Sequence, residues 1–493
     1  MDLKIKKING SFIKVESEEQ SILHDIYTHF KYEEPNHYRR PGTFWDGITR
    51  LFNKSKKTLP YGLLLDLLEL CKKRKWEFEL DKEFKEDIVD ASKEEISEWV
   101  NELDIRNEKG EKIEVYDYQL EAIYLSIKFR RLTLLAATNA GKSLILYCLV
   151  RYYLMHDDAK VILVVPTIAL VNQMYGDFEN YSTSNGWSVQ SNVHKISAGI
   201  EKRSSKQVYI STFHSICKQE PEYFEDVTDI LVDEAHKASS KSIKDICDLS
   251  VNARTKIGMT GTLKPDIIHP MLVKSRLGSI KRIVTVKELQ DSGRATKTKI
   301  FRVILKYNEE YKKRIFKAEY REEIDFIVSC KARNEIIKNF AKNTKNNTLL
   351  LFRLKDKHLV ELYNQLIEED KSKKYFMYTG DTTPEEKELI KKYVEENNDA
   401  CVLGTEGSIS TGISIRNLHN FGFCHPLKSS IIVLQSIGRM LRLHKDKEYA
   451  NIFDFCDDLS TKTWTNTALR HSYDRIDYYK NEGLSYKNME KEV

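Results

Sequence analysis

Short apolar runs separated by longer amphipathic stretches constrain this chain more than any other feature. Residues 132–137, 161–166, 208–212, 230–233 and 256–260 each form such a run, bounded by polar residues or glycine. Runs that are apolar throughout, rather than alternating, belong to strands buried on both faces. The intervals are long enough for helices, so the pattern predicts a parallel sheet with crossover helices. It resumes at 348–352, 375–379, 400–404, 420–424 and 450–455, after a charged stretch over roughly 286–333. A chain of 493 residues is too long for one core. We therefore expect two α/β domains in tandem, over 91–285 and 286–459. A small α+β domain precedes them at 1–90, and a Tyr-rich helical extension follows at 460–493. The acidic, helix-prone segment 82–112 reads as a helical joint.

Composition excludes several classes. Hydrophobic residues make up 41% and charged residues 31%, which suits globular cores with a charged surface and not a disordered chain. The net charge of +5 permits a polyanion partner without requiring one, because basic residues can line one cleft. The eight cysteines lack any CxxC pair, so they read as reduced, buried thiols and not as a zinc site. The N-terminal MDLKIKKING carries no apolar signal segment. No run approaches the roughly 20 apolar residues of a membrane span. A cytoplasmic location is expected, that of the host cell if a phage encodes the chain.

The first run leads into Thr138-Asn139-Ala140-Gly141-Lys142-Ser143 and then the apolar stretch 144–150. Strand, turn, Gly-Lys-Ser and helix is the order that a phosphate cradle requires. Backbone N–H groups and the helix N-terminus face the phosphates. Lys142 offers a point charge to the β- and γ-phosphates, and the Ser143 hydroxyl suits Mg²⁺. The run 230–233 ends in Asp233-Glu234-Ala235-His236. Asp233 at a strand tip can hold Mg²⁺ through water, and Glu234 is then placed to orient the attacking water. Either motif alone could be an ordinary turn; the two together predict ATP and Mg²⁺ as cofactors.

In order, these blocks resemble those of superfamily 2 helicases. Tyr118-Gln119 is similar to the adenine-reading glutamine motif, and an amide can both donate to and accept from a base edge. Val165-Pro166-Thr167 resembles motif Ia, Ser211-Thr212-Phe213-His214 motif Ic, and Thr260-Gly261-Thr262 motif III. Residues 349–353, ending in Arg353, resemble motif IV, and Tyr378-Thr379-Gly380-Asp381 the phosphate-contact loop after it. The block from Gly404-Thr405 to Thr411-Gly412-Ile413-Ser414 resembles motif V, with Ser414 where an acid is commoner. Gln435, Gly438, Arg439 and Arg442 fit the QxxGRxxR pattern of motif VI.

The resemblance implies two RecA-like motor domains. It implies catalytic roles for Lys142, Asp233, Glu234, Gln435, Arg439 and Arg442, with the two arginines, on one helical face, as fingers at the γ-phosphate. It implies nucleotide contacts from Gln119, Thr138, Asn139, Ala140, Gly141, Lys142, Ser143 and Gly412, with Mg²⁺ at Ser143 and Asp233. Thr167, Thr212, His214, Arg353, Thr379 and Thr405 are the implied contacts to a nucleic-acid strand held by its phosphates. Within the superfamily, Phe44-Trp45-Asp46-Gly47, residues 410–414 and 431–439, and Asp474-Arg475-Ile476 are similar to the UvsW-type phage recombination helicases. That likeness implies a monomeric enzyme acting on branched, duplex or single-stranded DNA, at forks and Holliday-like junctions, and on RNA–DNA hybrids in R-loops.

Two other readings stay open on the residues: a restriction-type translocase that pumps duplex without opening it, and a degenerate motor acting as a scaffold. In the N-terminal domain, short alternating strands are expected at 3–8 and 12–15. Asp46-Gly47 is a tight-turn signal that would close a hairpin between Phe44-Trp45 and residues 48–52. Trp45 and Arg50 in that hairpin are candidate DNA contacts, by base stacking and phosphate pairing.

Overall fold

The computed structural model describes residues 1–34, 46–107, 109–156, 158–196, 201–412 and 415–493. They form two compact units. The first comprises Met1–Ala136 and Gly141–Ile283, the second Ala137–Ala140 and Val284–Val493.

The larger sheet of the first unit has seven strands, in the order Ser279–Val284, Arg131–Ala136, Thr255–Thr260, Asp229–Asp233, Val161–Val165, Val208–Thr212, Val193–Ile196. The five registers from Arg131–Ala136 to Val193–Ile196 are all parallel. Strand periodicity splits the core. Val161, Leu163 and Val165 join one buried cluster with the helices Asp117–Phe129 and Lys142–Tyr153, while Ile162 and Val164 join another on the opposite face. Both faces are covered, and that is why the run at 161 reads as uniformly apolar.

A four-stranded mixed sheet, ordered Thr58–Pro60, Phe12–Glu16, Leu3–Lys7, Phe78–Leu80, packs with two helices around its own core in the same unit. It is docked on the seven-stranded sheet through specific contacts. Gly10 N donates to Val251 O (2.6 Å), and a Cβ at Gly10 would stand 2.4 Å from Ala253 O. The Arg131 guanidinium lies 4.2 Å from the Tyr61 ring centroid, and Lys274 pairs with Asp66 at 2.7 Å.

The most unusual contact in this junction is Lys256, 1% exposed, whose Nζ donates to Ser11 Oγ (2.7 Å) and Cys247 O (2.5 Å). Burial, and then the Arg131 charge, push its ammonium down to about 7. In the unfolded chain a lysine titrates near 10.4. Unfolding therefore takes up a proton between about pH 7 and 10, and Lys256 makes the fold gain stability as pH rises through that window. Lys256→Met should raise stability at pH 7 by about 1–3 kcal/mol, because Ser11 Oγ still bonds Cys247 O and no polar partner is orphaned. It should also flatten the rise between pH 7 and 9. Urea unfolding at both pH values measures this; a destabilised Lys256→Met protein would mean that the ammonium is a net stabiliser.

The second unit holds the other seven-stranded sheet, ordered Lys374–Tyr378, Ala400–Thr405, Thr348–Phe352, Asn420–Phe423, Tyr449–Asp458, Lys297–Lys306, Tyr486–Glu492. All six registers are parallel. The two parallel sheets are the expected RecA-like pair.

Several elements differ from the sequence expectation. The charged stretch at 286–333 contains the ten-residue strand Lys297–Lys306, whose buried positions include Ile300, Arg302 and Ile304. Arg302 is usable there because Asn488 Oδ1 and Ser472 Oγ each accept from it at 3.0 Å. The extension at 460–493 is a helix, Thr467–Asn481, followed by an almost wholly exposed edge strand, Tyr486–Glu492. Segment 82–112 is helical chiefly at Lys93–Glu102, which starts with a Ser92/Glu95 capping box. Ile48–Arg50, one arm of the hairpin expected across Asp46-Gly47, runs antiparallel to Lys31–Glu33. Phe44 and Trp45 lie outside the described residues. All eight cysteines are free; seven are buried and Cys217 is half-buried. Among the described residues, no helix is long and apolar enough to cross a membrane.

Candidate nucleotide site and strand-contact loops

Two strand ends of the first sheet build the centre. Arg131–Ala136 runs into the loop that opens the helix Lys142–Tyr153. Gly141 has φ +75°, and Asn139 takes a left-handed φ of 69°. A Cβ on Gly141 would also meet Gln119 Nε2 at 2.3 Å, so the turn favours glycine and the neighbouring amide packs against its bare backbone. Gln119 is 3% exposed, and its Oε1 accepts from Tyr116 N at 3.0 Å. It is thus packed beneath the loop instead of being displayed at the surface.

The strand Asp229–Asp233 delivers the acids. Glu234 follows in a left-handed conformation (φ 52°), which turns its side chain toward Lys142; Nζ and Oε1 are 3.6 Å apart. Asp233 is buried, and its Oδ1 accepts from Glu234 N at 2.9 Å. Burial pushes the Asp233 carboxyl above its usual range. Burial acts on Glu234 as well, but the Lys142 ammonium and His236 outweigh it and hold that carboxyl low. His236 Nδ1 lies 3.2 Å from Glu234 Oε2 and 3.0 Å from Thr260 Oγ1, and Thr260 Oγ1 in turn donates to Thr262 O (2.9 Å). A hydrogen-bonded chain therefore links the 260–262 block to the acid. His269 completes it from behind, with Nε2 2.6 Å from His236 O. Nothing in the sequence singled out His269, an isolated histidine beside a proline.

The candidate strand-contact hydroxyls have local partners. Thr167 caps the helix Ile168–Tyr181, accepting from Leu170 N at 3.3 Å. Thr212 Oγ1 pairs with Ser215 Oγ at 2.8 Å, and His214 beside it is exposed. In the second unit Thr379 is buried and its Oγ1 accepts from Asp381 N at 3.3 Å, while Thr405 Oγ1 donates to Ser408 Oγ at 3.1 Å. These hydroxyls shape the loops in which they sit. Arg353 is exposed. Arg50, a candidate DNA contact of the N-terminal domain, is held by Asp46 at 2.5 Å and Tyr27 OH at 2.8 Å.

The helix Ser430–Met440 carries Gln435 and Arg439, with Arg442 just beyond it. A Cβ on Gly438 would stand 2.3 Å from Thr138 Cβ, and Asn139 Nδ2 donates to Gly438 O at 2.8 Å, so glycine is required here within the second unit. The end of this helix is pinned by Lys447, 6% exposed, whose Nζ donates to Met440 O (3.1 Å) and Arg416 O (2.8 Å). Thr296 Oγ1 donates to Arg442 O at 2.9 Å. Sequence reading missed Lys447 because it sits in a run of charged residues that looks like solvated surface. Gly412 ends the helix Glu406–Gly412, whereas Ile413 and Ser414 lie outside the described residues. Arg475 of the tail block is 1% exposed, and it meets Asp454 through Nε (3.0 Å) and Nη2 (2.6 Å), so that block is a structural brace.

Comparison with known proteins agrees with this architecture. Residues 112–265 match the family described as type III restriction enzyme, res subunit. The ATP-dependent DNA helicase UvsW of Enterobacteria phage T4 is 30% identical over 509 aligned positions, 99% of each chain. The crystal structure of T4 UvsW covers 100% of both chains with a TM-score of 0.53 at 29% identity. The restriction-modification enzyme LlaBIII, solved bound to DNA, shares the fold at 15% identity and a TM-score of 0.54, covering 78% of this chain and 32% of that one. By end-to-end similarity to UvsW, joined to a phosphate loop and an acid pair at the ends of two strands that flank Thr255–Thr260 in one parallel sheet, this chain belongs to the UvsW family of ATP-dependent superfamily 2 helicases.

Proposed function

We propose that this helicase uses ATP hydrolysis to remodel branched DNA, opening forks, junctions and RNA–DNA hybrids as a monomer in the cytoplasm. The observation that carries the reading is the constellation of Lys142, Asp233, Glu234 and His236 at the ends of two parallel strands. It pairs a cation for phosphate with a carboxylate kept ionised beside it.

Ser143, in the first turn of its helix, and Asp233, a buried carboxylate that burial alone would neutralise, offer the hard oxygen donors that suit Mg²⁺. When bound, that ion supplies charge neutralisation at the phosphate oxygens. Lys142 binds the β- and γ-phosphates, and backbone N–H groups of 138–143 cradle them. Glu234 orients the water and accepts its proton. Thr260 and His236 link the 260–262 loop to that base. Gln435, Arg439 and Arg442 take the roles that the family motif implies, the arginines neutralising charge on the γ-phosphate. DNA as the strand rests on the likeness to UvsW.

The strand runs over the loops carrying Thr167, Thr212, His214, Arg353, Gly380 and Thr405. Backbone N–H groups and exposed cations there meet phosphates, so binding discriminates little between sequences. Affinity should fall log-linearly with salt, with a slope of about −0.7 per phosphate neutralised on a single strand. Binding titrations on a fork and on two unrelated single strands, from low to high salt, test this; a flat response would remove the phosphate track. Strand release from the fork, with ATP, separates a helicase from a pure translocase, which the restriction-type family match brings into consideration.

A further inference from the structure

A cavity of about 630 Å³ lies along the strand Lys374–Tyr378, the outer edge of the second sheet. Its walls are Tyr363, Phe376, Met377, Leu389, Ile390 and Tyr393, from that strand and the helices Glu361–Glu369 and Pro384–Glu396. Three aromatic rings in one pocket give flat apolar faces, and Phe376 and Tyr393 stand 5.2 Å apart at 60°, which leaves their faces unstacked on each other.

The lip is polar and belongs to the loop after the strand: Thr379, Asp381 and Thr382, with Lys355 opposite. The carboxylates there are already engaged. Asp381 is ion-paired with Lys355, and Glu386 accepts from Thr383 N at 2.8 Å in a capping box. A phosphate arriving at the lip therefore competes for the Lys355 ammonium with Asp381, whose carboxylate is 74% exposed and turns into water when displaced. Gly380, on the same lip, has an ordinary φ and no neighbour within 4 Å of where a Cβ would sit. Neither conformation nor packing demands glycine, and its absent side chain leaves the approach clear.

We propose that this cavity receives one unpaired base of the strand lying on the 379–382 loop. The base stacks on the aromatic wall while its 5′ or 3′ phosphate meets Lys355. The proposal rests on the phosphate track described above and deepens it. Stacking on an aromatic face is open to every base, so the pocket would hold the strand without selecting sequence. A size of several hundred Å³ accommodates a base with its sugar.

The test uses the full chain and single-stranded DNA carrying one 5-iodouracil, placed at each position in turn. Photocrosslinked residues are mapped by mass spectrometry. We expect crosslinks at Tyr363, Phe376 or Tyr393. Phe376→Leu should weaken strand binding about tenfold, because the flat face is lost while most of the apolar volume is kept, and leave the DNA-independent ATPase unchanged. Leu389→Trp, at a wall position 68% exposed, should block the pocket and abolish those crosslinks without threatening the fold. Crosslinks found only elsewhere, with unchanged affinity in both variants and a steep salt dependence, would overturn the pocket and leave the phosphate track standing. A flat salt dependence would overturn the track and the pocket with it.

Discussion

A Glu234→Gln enzyme is expected to bind ATP at least as tightly as the wild type and to hydrolyse it about 10²–10⁴-fold more slowly. The amide keeps the size of the side chain and its place 3.6 Å from Lys142, but it cannot take a proton from water. It also removes the negative charge that competes with a phosphate for the Lys142 ammonium, so ground-state binding is not weakened. Single-turnover hydrolysis, read beside equilibrium binding of a fluorescent ATP analogue, separates the two quantities. Wild-type turnover in the Gln variant would assign the base role to another group.

Arg439→Ala should cost about 10³–10⁵-fold in turnover with nucleotide affinity largely kept, the signature of a charge contact made only as the γ-phosphate leaves. Arg439→Lys should recover little, because an ammonium lacks the planar fork that can meet two oxygens at once. The measurement is kcat against nucleotide Kd for both variants. A Kd that weakens in step with kcat would make Arg439 a ground-state ligand instead. Lys447 fixes the Met440 and Arg416 carbonyls, and so holds the end of the helix that carries Arg439.

How much of this was legible depended on whether a residue's role is local. The strands at 161 and 230 and the Gly-Lys-Ser turn could be read directly. Burial on both faces forces continuous apolar runs, and a phosphate cradle forces a fixed order of strand, turn and helix. The same logic failed at Lys297–Lys306 and Tyr486–Glu492. The first is rich in lysine and hides an arginine by hydrogen bonding, and the second is an exposed edge strand defined only by its neighbour. The pairing of Ile48–Arg50 with Lys31–Glu33 was likewise not legible, because a turn signal at Asp46-Gly47 speaks only for its immediate neighbours in the chain.

The sequence by itself determined the candidates: which side chains are of a type to meet a triphosphate and in what order they follow strands, since those are properties of residue type and spacing along one chain. Only the tertiary structure decided what surrounds them. It set Glu234 between Lys142 and His236, buried Lys256 against Ser11, enclosed three aromatic rings beside the 379–382 loop, and turned the candidate hydroxyls inward to build their own loops. Each of these pairs residues far apart in the chain, or makes a local bond compete with a ligand. Their energies depend on burial and distance, which spacing along a sequence does not fix.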